Sequence, residues 1–270
     1  MKRTAQLRGM RRGFTLTELL VVFGLIAMLI ALIMPVMTKA KAAASATACM
    51  SNLRQMGQAW EMYTAENRGR LMEYNWFTPT SPDLSWKAYW LGILDSYKVR
   101  GDVLLCPSAK DVIPYNINKG FGNITYAWTG KYQTLGTMVH FNAATYRNSS
   151  YGYNKYLVAP NLPTVTGGFG ARITSVRRLW EVPVFMDSTF VDFEPNNKSE
   201  ATPVDPPPNL RGQNIPAGAP DHWRFLIARH GRGVNAYMAD GSARWVPLEE
   251  TYMLSWKSDW KKYLLRLPKY

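Results

Sequence analysis

From Leu19 to Met37 the chain reads LLVVFGLIAMLIALIMPVM, with no charged residue. As a helix this run is about 28 Å long, close to the hydrocarbon thickness of a bilayer. A core helix of a water-soluble domain normally keeps one polar face, and this run has none. It predicts a single membrane-inserted helix. Lys2, Arg3, Arg8, Arg11 and Arg12 precede it with no acidic residue among them, which favours a cytoplasmic amino-terminal side and an exported remainder. Pro35, near the end of the run, removes one helical hydrogen bond and is expected to kink or loosen the helix there.

Beyond Pro35 the pattern becomes amphipathic. Ala40, Ala43, Ala44, Ala46 and Ala48 are strong helix formers. Leu53, Met56, Trp60 and Tyr63 follow at three- and four-residue steps, with Arg54, Gln55, Gln58 and Glu61 between them. Asn67-Arg68-Gly69 reads as a stop. One helix over about 14–66 is expected, spanning the membrane over 14–37 and laying an apolar stripe under an exported domain over 38–67. The domain itself runs over 68–270. Within it Ser85–Tyr97 reads as a second helix, and Ser150–Asn154 and Val182–Asp187 read as strands. A proline-rich loop lies near 195–220. Val234–Ala239, the turn signal Asp240-Gly241 and Ser242–Val246 read as a β-hairpin. Trp256, Trp260 and Tyr263, interleaved with Lys257, Lys261, Lys262 and Arg266, suggest a short carboxy-terminal amphipathic helix over Glu249–Leu267. The fold class is α+β: a long amino-terminal helix packed against an antiparallel sheet.

Composition agrees with a folded domain, since 47% of the 270 residues are hydrophobic. The net charge of +13 overstates any basic surface, because residues 1–13 carry +5 of it. The other basic residues are scattered, and Arg177-Arg178 and Lys261-Lys262 are only pairs. No nucleic-acid-binding motif accompanies them, so nucleic acid is not expected as a partner.

The stretch Arg11-Arg12-Gly13-Phe14-Thr15-Leu16-Thr17-Glu18-Leu19-Leu20, placed directly before the apolar run, resembles the signal of type IV prepilins and type II secretion pseudopilins. The resemblance implies cleavage by a prepilin peptidase after Gly13, at the end of a leader over 1–13, and methylation of the new amino-terminal Phe14. It also implies a role for Glu18 in assembly. A carboxylate at the edge of a membrane helix is costly unless paired or protonated. In this family it pairs with the free amino-terminal ammonium of a neighbouring subunit. Thr17 stands where isoleucine is common. His230, nine intervening residues, then Asp240-Gly241 resembles the carboxy-terminal His-x9-Asp-Gly motif of a bacterial subgroup of these proteins. The stretch Cys49–Asn52-Leu53–Gln55, Cys106-Pro107 and Tyr151-Gly152–Asn154 fits the same subgroup. The implied partners are the peptidase, other pilin-like subunits and membrane lipid. The implied location is the bacterial inner membrane, single-pass, with the domain outside or in a surface fibre.

Chemistry beyond this is sparse. The two cysteines, Cys49 and Cys106, lack Cys-x-x-Cys spacing, so neither a structural zinc site nor a thioredoxin-like motif is expected. An exported setting favours one disulfide between them, closing a loop of about 57 residues and stabilising by roughly 4 kcal/mol in the chain-entropy picture. Two buried free thiols are the alternative. His230 and Asp240 are expected to serve separately, one hydrogen-bonded and one in the turn, since an extended chain sets them up to about 33 Å apart. Asp187, Asp192, Asp221 and Asp240 are weak calcium candidates without an EF-hand spacing. No hydrolase or nucleotide-binding pattern occurs, and neither enzymatic activity nor a cofactor is expected. The expected role is that of a structural subunit of a pilus or pseudopilus. A membrane-anchored binding protein, for instance for glycans, is the alternative.

Overall fold

The structure is a computed structural model. It describes residues 15–72, 90–109, 111–112, 122–129, 133–134, 137–138, 148–158, 168–196, 198–213 and 219–269. The leader expected over 1–13 and Phe14 lie outside the described residues, as does Ser85–Tyr89 of the helix expected over Ser85–Tyr97. Contacts divide the chain into two parts, Met1–Ala42 and Ala43–Tyr270.

Helix α1 runs over Leu16–Glu66 and continues through Pro35. Its start is a reciprocal capping box. The Thr15 hydroxyl accepts from the Glu18 amide at 3.3 Å, and Glu18 Oε2 accepts from the Thr15 amide at 2.9 Å and from its hydroxyl at 2.8 Å. The sequence Thr-x-x-Glu carries this signal. In the first part, every described residue up to Ala42 is exposed, and the most apolar 18-residue window has a mean hydropathy of 3.0.

In the second part, Cys49, Leu53, Met56, Gly57, Trp60 and Thr64 form the buried stripe of α1. The helix ends in a Schellman arrangement: Gly69 N donates to Thr64 O at 2.7 Å and Arg68 N to Ala65 O at 3.3 Å. Arg68, not the glycine, is the first residue with positive φ (55°), and Gly69 follows at 79°. Helix α2, Trp90–Ser96, is the described part of the second expected helix.

The strands are β1 (Asp111–Val112), β2 (Tyr126–Thr129), β3 (Gln133–Thr134), β4 (Thr137–Met138), β5 (Asn148–Ser149), β6 (Tyr151–Asn154), β7 (Pro183–Asp187), β8 (Asp192–Phe193), β9 (Gly233–Met238) and β10 (Ala243–Pro247). The main sheet has the order β10-β9-β7-β6-β8. It is antiparallel except that β8 runs parallel to β6, so the sheet is mixed at that edge. The order follows from pattern and turns. Strands β6, β7 and β9 are buried throughout and take the centre. Strand β10, in which Val246 alone is buried, takes one edge.

Tyr153, Phe185 and Tyr237 stand opposite one another across β6, β7 and β9 and so share a face. Tyr237 marks where that face meets α1: a Cβ on Gly57 would fall 2.0 Å from its Cζ, and its hydroxyl donates to Glu61 Oε1 at 2.6 Å. Helix α2 packs there too, with Trp90 5.4 Å from the Phe185 ring and donating from Nε1 to Val191 O at 2.8 Å.

The expected β-hairpin is present. Met238 N donates to Ser242 O at 2.8 Å, and Gly241 takes φ 88°. The proline-rich stretch is pinned down, with Val204 and Leu210 buried and Asp205 O accepting from Trp223 Nε1 at 2.9 Å.

The carboxy-terminal amphipathic helix is not formed. A 3-10 turn, Leu248–Met253, is followed by chain without regular structure to Lys269. Beyond that turn the buried residues are Leu254 and Trp256, then Tyr263 and Leu265. That is a period of two, the signature of extended chain. The aromatic rings reach inward, Trp256 stacking on Phe225 at 4.7 Å and meeting Phe193 edge-on at 5.3 Å.

Candidate functional site

Four chain segments converge where α1 crosses the end of β7. Cys49 comes from the buried stripe of α1. Cys106 sits in a tight loop whose carbonyls are clamped: Leu104 O accepts from Ser149 Oγ and Ser150 N, both at 2.9 Å, and Leu105 O accepts from Asn52 Nδ2 on α1 at 2.9 Å. Asp187 ends β7 and stands opposite Tyr151 of β6. His230 precedes β9, at a bend where Gly231 takes φ 69°. Its amide donates to Gly233 O at 3.2 Å, and its carbonyl accepts from Trp245 Nε1 at 3.0 Å.

The four side chains meet inside the protein. Cys106 Sγ is 3.3 Å from His230 Nε2, which is 3.4 Å from Asp187 Oδ2. Cys49 Sγ is 3.6 and 3.8 Å from the two Asp187 oxygens. One donor atom from each residue lies within 4.8 Å of all the others. Cys49, Cys106 and Asp187 have no solvent exposure, and the His230 side chain is 2% exposed.

A charged surround holds the carboxylate. Arg229 Nη1 lies 3.1 Å from Asp187 Oδ1 with both side chains fully buried. The same guanidinium donates to Asn123 O at 2.8 Å, to Ser188 O at 3.2 Å and to Ser150 O. Asn235 N donates to Asp187 Oδ2 at 2.8 Å, and its side-chain amide donates to Ala46 O of α1 at 3.0 Å. Burial works to raise the Asp187 pKa, but His230, Arg229 and Asn235 outweigh it and hold the group below its ordinary value. Burial likewise opposes ionisation of Cys106 and His230. For Cys106, hydrogen bonds with Cys49 and His230 prevail and bring the thiol down to about 6. For His230, the hydrogen bond to Asp187 prevails and lifts the imidazole to about 10. Cys49 is pushed up, first by burial.

This arrangement is not a nucleophilic triad. Such a relay contacts the nucleophile with one imidazole nitrogen and the acid with the other. Here Nε2 alone faces both Cys106 and Asp187.

The structure brings together some of the residues singled out from sequence and separates others. Cys49 and Cys106 meet in one cluster, but as free thiols; the expected bridge is not formed in this structure. His230 and Asp240 stand at opposite ends of β9. Asp240 is exposed at the hairpin turn, where Oδ1 accepts from Ser242 N at 3.0 Å and from its hydroxyl at 2.7 Å. Asp187 and Asp240 therefore do not share a calcium site: Pro183, at the far end of β7 from Asp187, is the residue that pairs with Met238 beside the turn. Asp192 and Asp221 both bind Arg224, at 2.8 and 2.7 Å, away from Asp187. Arg229 and Asn235 were not singled out from sequence. The one local signal for the first is that Arg229 adjoins His230 in the chain.

Comparison with known proteins bears on the amino terminus. Searches of curated proteins and of solved structures find no match. Residues 8–34 match the prokaryotic N-terminal methylation motif, a stretch that takes in Arg8–Gly13, the Glu18 cap and most of the apolar half of α1, and this match supports a type IV pilin-like precursor.

Proposed function

We propose that the protein is a structural subunit of a type IV pilus or type II secretion pseudopilus-like assembly. It is cut after Gly13, methylated at Phe14 and held in the inner membrane by the apolar half of α1. Residues 43–270 lie on the outer side. The observation that carries this reading is the matched motif over residues 8–34 on a helix whose apolar half is exposed along its described length. That surface needs lipid or neighbouring helices to cover it. Glu18, satisfied by Thr15 within its own chain, exchanges that partner for the ammonium of a neighbouring Phe14 on assembly. The test is the intact mass of the native amino terminus: methylated Phe14 supports the reading, and a chain starting near Ala44 overturns it.

A second reading, a membrane-anchored binding protein that forms no fibre, is favoured by one groove. It has a volume of about 440 Å³, and Trp260, Arg177, Arg178, Lys257 and Lys262 line it. The Trp260 ring suits the face of a sugar, while Lys257 is held by Asp259 and Lys262 and Arg178 by Glu181. Mature protein recovered in sheared fibres supports the first reading. Monomeric protein with glycan affinity supports the second.

A further inference from the structure

We infer that Cys49, Cys106, Asp187 and His230 form a structural zinc site that ties α1 to the main sheet. Zinc is held tetrahedrally by sulfur, nitrogen and carboxylate oxygen at about 2.0–2.3 Å, and a tetrahedron of that size has edges of about 3.3–3.8 Å. The contacts Cys106–His230, His230–Asp187 and Cys49–Asp187 measure 3.3, 3.4 and 3.6–3.8 Å. Three of the six donor–donor edges thus already have ligand–ligand length, and all four donors lie within 4.8 Å of one another. That His230 turns one nitrogen to two acidic partners at once has no use in proton relay, whereas convergence on one point is what a metal ion requires.

The donor set selects the metal. Two thiolates and an imidazole suit zinc, while calcium and magnesium take oxygen alone. Charge also balances. A divalent cation with two thiolates and one carboxylate leaves a single negative charge, and the buried Arg229 guanidinium cancels it. Arg229 and the Asn235 amide fix the carboxylate from outside the ligand set, the role that outer hydrogen bonds play around metal ligands. Four protein ligands with no solvent-facing position make the site structural. The same two cysteines could otherwise close a disulfide, and the two states exclude each other.

The experiment uses the full processed chain, purified in detergent without oxygen and in the presence of zinc, then freed of excess metal. One zinc per chain by elemental analysis is expected, with both thiols refractory to alkylation until a chelator is added. Cobalt in place of zinc is expected to give a thiolate-to-metal charge-transfer band that is weakened in Cys106→Ser and lost when Cys49→Ser is added. His230→Ala is expected to lose the metal and His230→Cys, which restores a ligand, to keep it. A chain that binds less than a tenth of an equivalent of zinc and alkylates freely, or that carries an intact Cys49–Cys106 disulfide in non-reducing mass spectrometry, overturns the site.

Discussion

Arg229 and Asp187 form an ion pair that no solvent reaches, Nη1 lying 3.1 Å from Oδ1 with both side chains fully buried. Four acceptors converge on the one guanidinium: Asp187 and the carbonyls of Ser150, Asn123 and Ser188. Breaking such a pair strands a buried charge and costs about 3–5 kcal/mol. Arg229→Ala is expected to lower the melting temperature by about 10 °C or more in a domain of this size. Arg229→Lys should recover little, because an ammonium cannot span the same fork. A melting curve for either variant within two degrees of the parent would show that the pair is dispensable.

At Gly57 α1 lies directly against the Tyr237 ring of β9. Any Cβ there meets the Tyr237 ring, which the bond to Glu61 holds in position. Gly57→Ala is expected to destabilise by about 1–3 kcal/mol through overpacking, despite the better helix propensity of alanine. Adding Tyr237→Ala should make Gly57→Ala nearly neutral on that background. A double-mutant cycle with no coupling between the two sites would contradict this.

Glu18 has two possible duties, and glutamine separates them. Glu18→Gln keeps an oxygen that can accept from Thr15 but removes the charge. If pairing with a neighbouring ammonium drives assembly, Glu18→Gln monomers remain helical by circular dichroism yet fail to cross-link into high-mass oligomers in the membrane. Wild-type levels of cross-linked oligomer in this variant would reduce Glu18 to a helix cap.

The carboxy-terminal segment should loosen in acid. Burial works to raise the Glu181 pKa, but the Lys262 ammonium at 2.6 Å and the Ser255 hydroxyl at 3.0 Å outweigh it and hold it below the usual carboxylate value. A carboxyl lowered in the folded state stabilises it above the unfolded pKa of about 4.3, and that contribution is lost as pH falls through the folded value. Exchange protection of the Ser255 amide, which donates to Glu181 O at 2.8 Å, is expected to drop over that range after correction for intrinsic rates. In Lys262→Met the drop should be smaller and be complete at higher pH, because the folded value then lies closer to the unfolded one. Identical profiles in the two proteins would remove Glu181 from the docking of this segment.

What the sequence discloses here is what its local patterns carry. The 51-residue helix, the β9–β10 hairpin and strands β6 and β7 each announce themselves within a short window. The carboxy-terminal segment misleads because its alternating aromatic and basic residues suit a helix as well as an irregular extended course, and contacts far along the chain, such as Trp256 on Phe225, go with the latter. The buried cluster is illegible for a different reason. Cys49 and Asp187 are 138 residues apart and Cys106 and His230 124 apart, so a spacing rule such as Cys-x-x-Cys has nothing to detect. Thr15-x-x-Glu18 was readable as a capping box, but an assembly role for the same glutamate obscures it.

Strand β9 acts as a ruler. Its six residues hold His230 at one end against the buried cluster and Asp240-Gly241 at the other, at the turn. Asn235 and Tyr237, two apart, both reach α1, one at Ala46 and the other at Glu61. Inserting or deleting a single residue would turn one of them to the opposite face and pull one anchor out of place. The nine-residue interval between histidine and aspartate is thus a length imposed by a strand, and it requires no chemistry between the two residues that bound it.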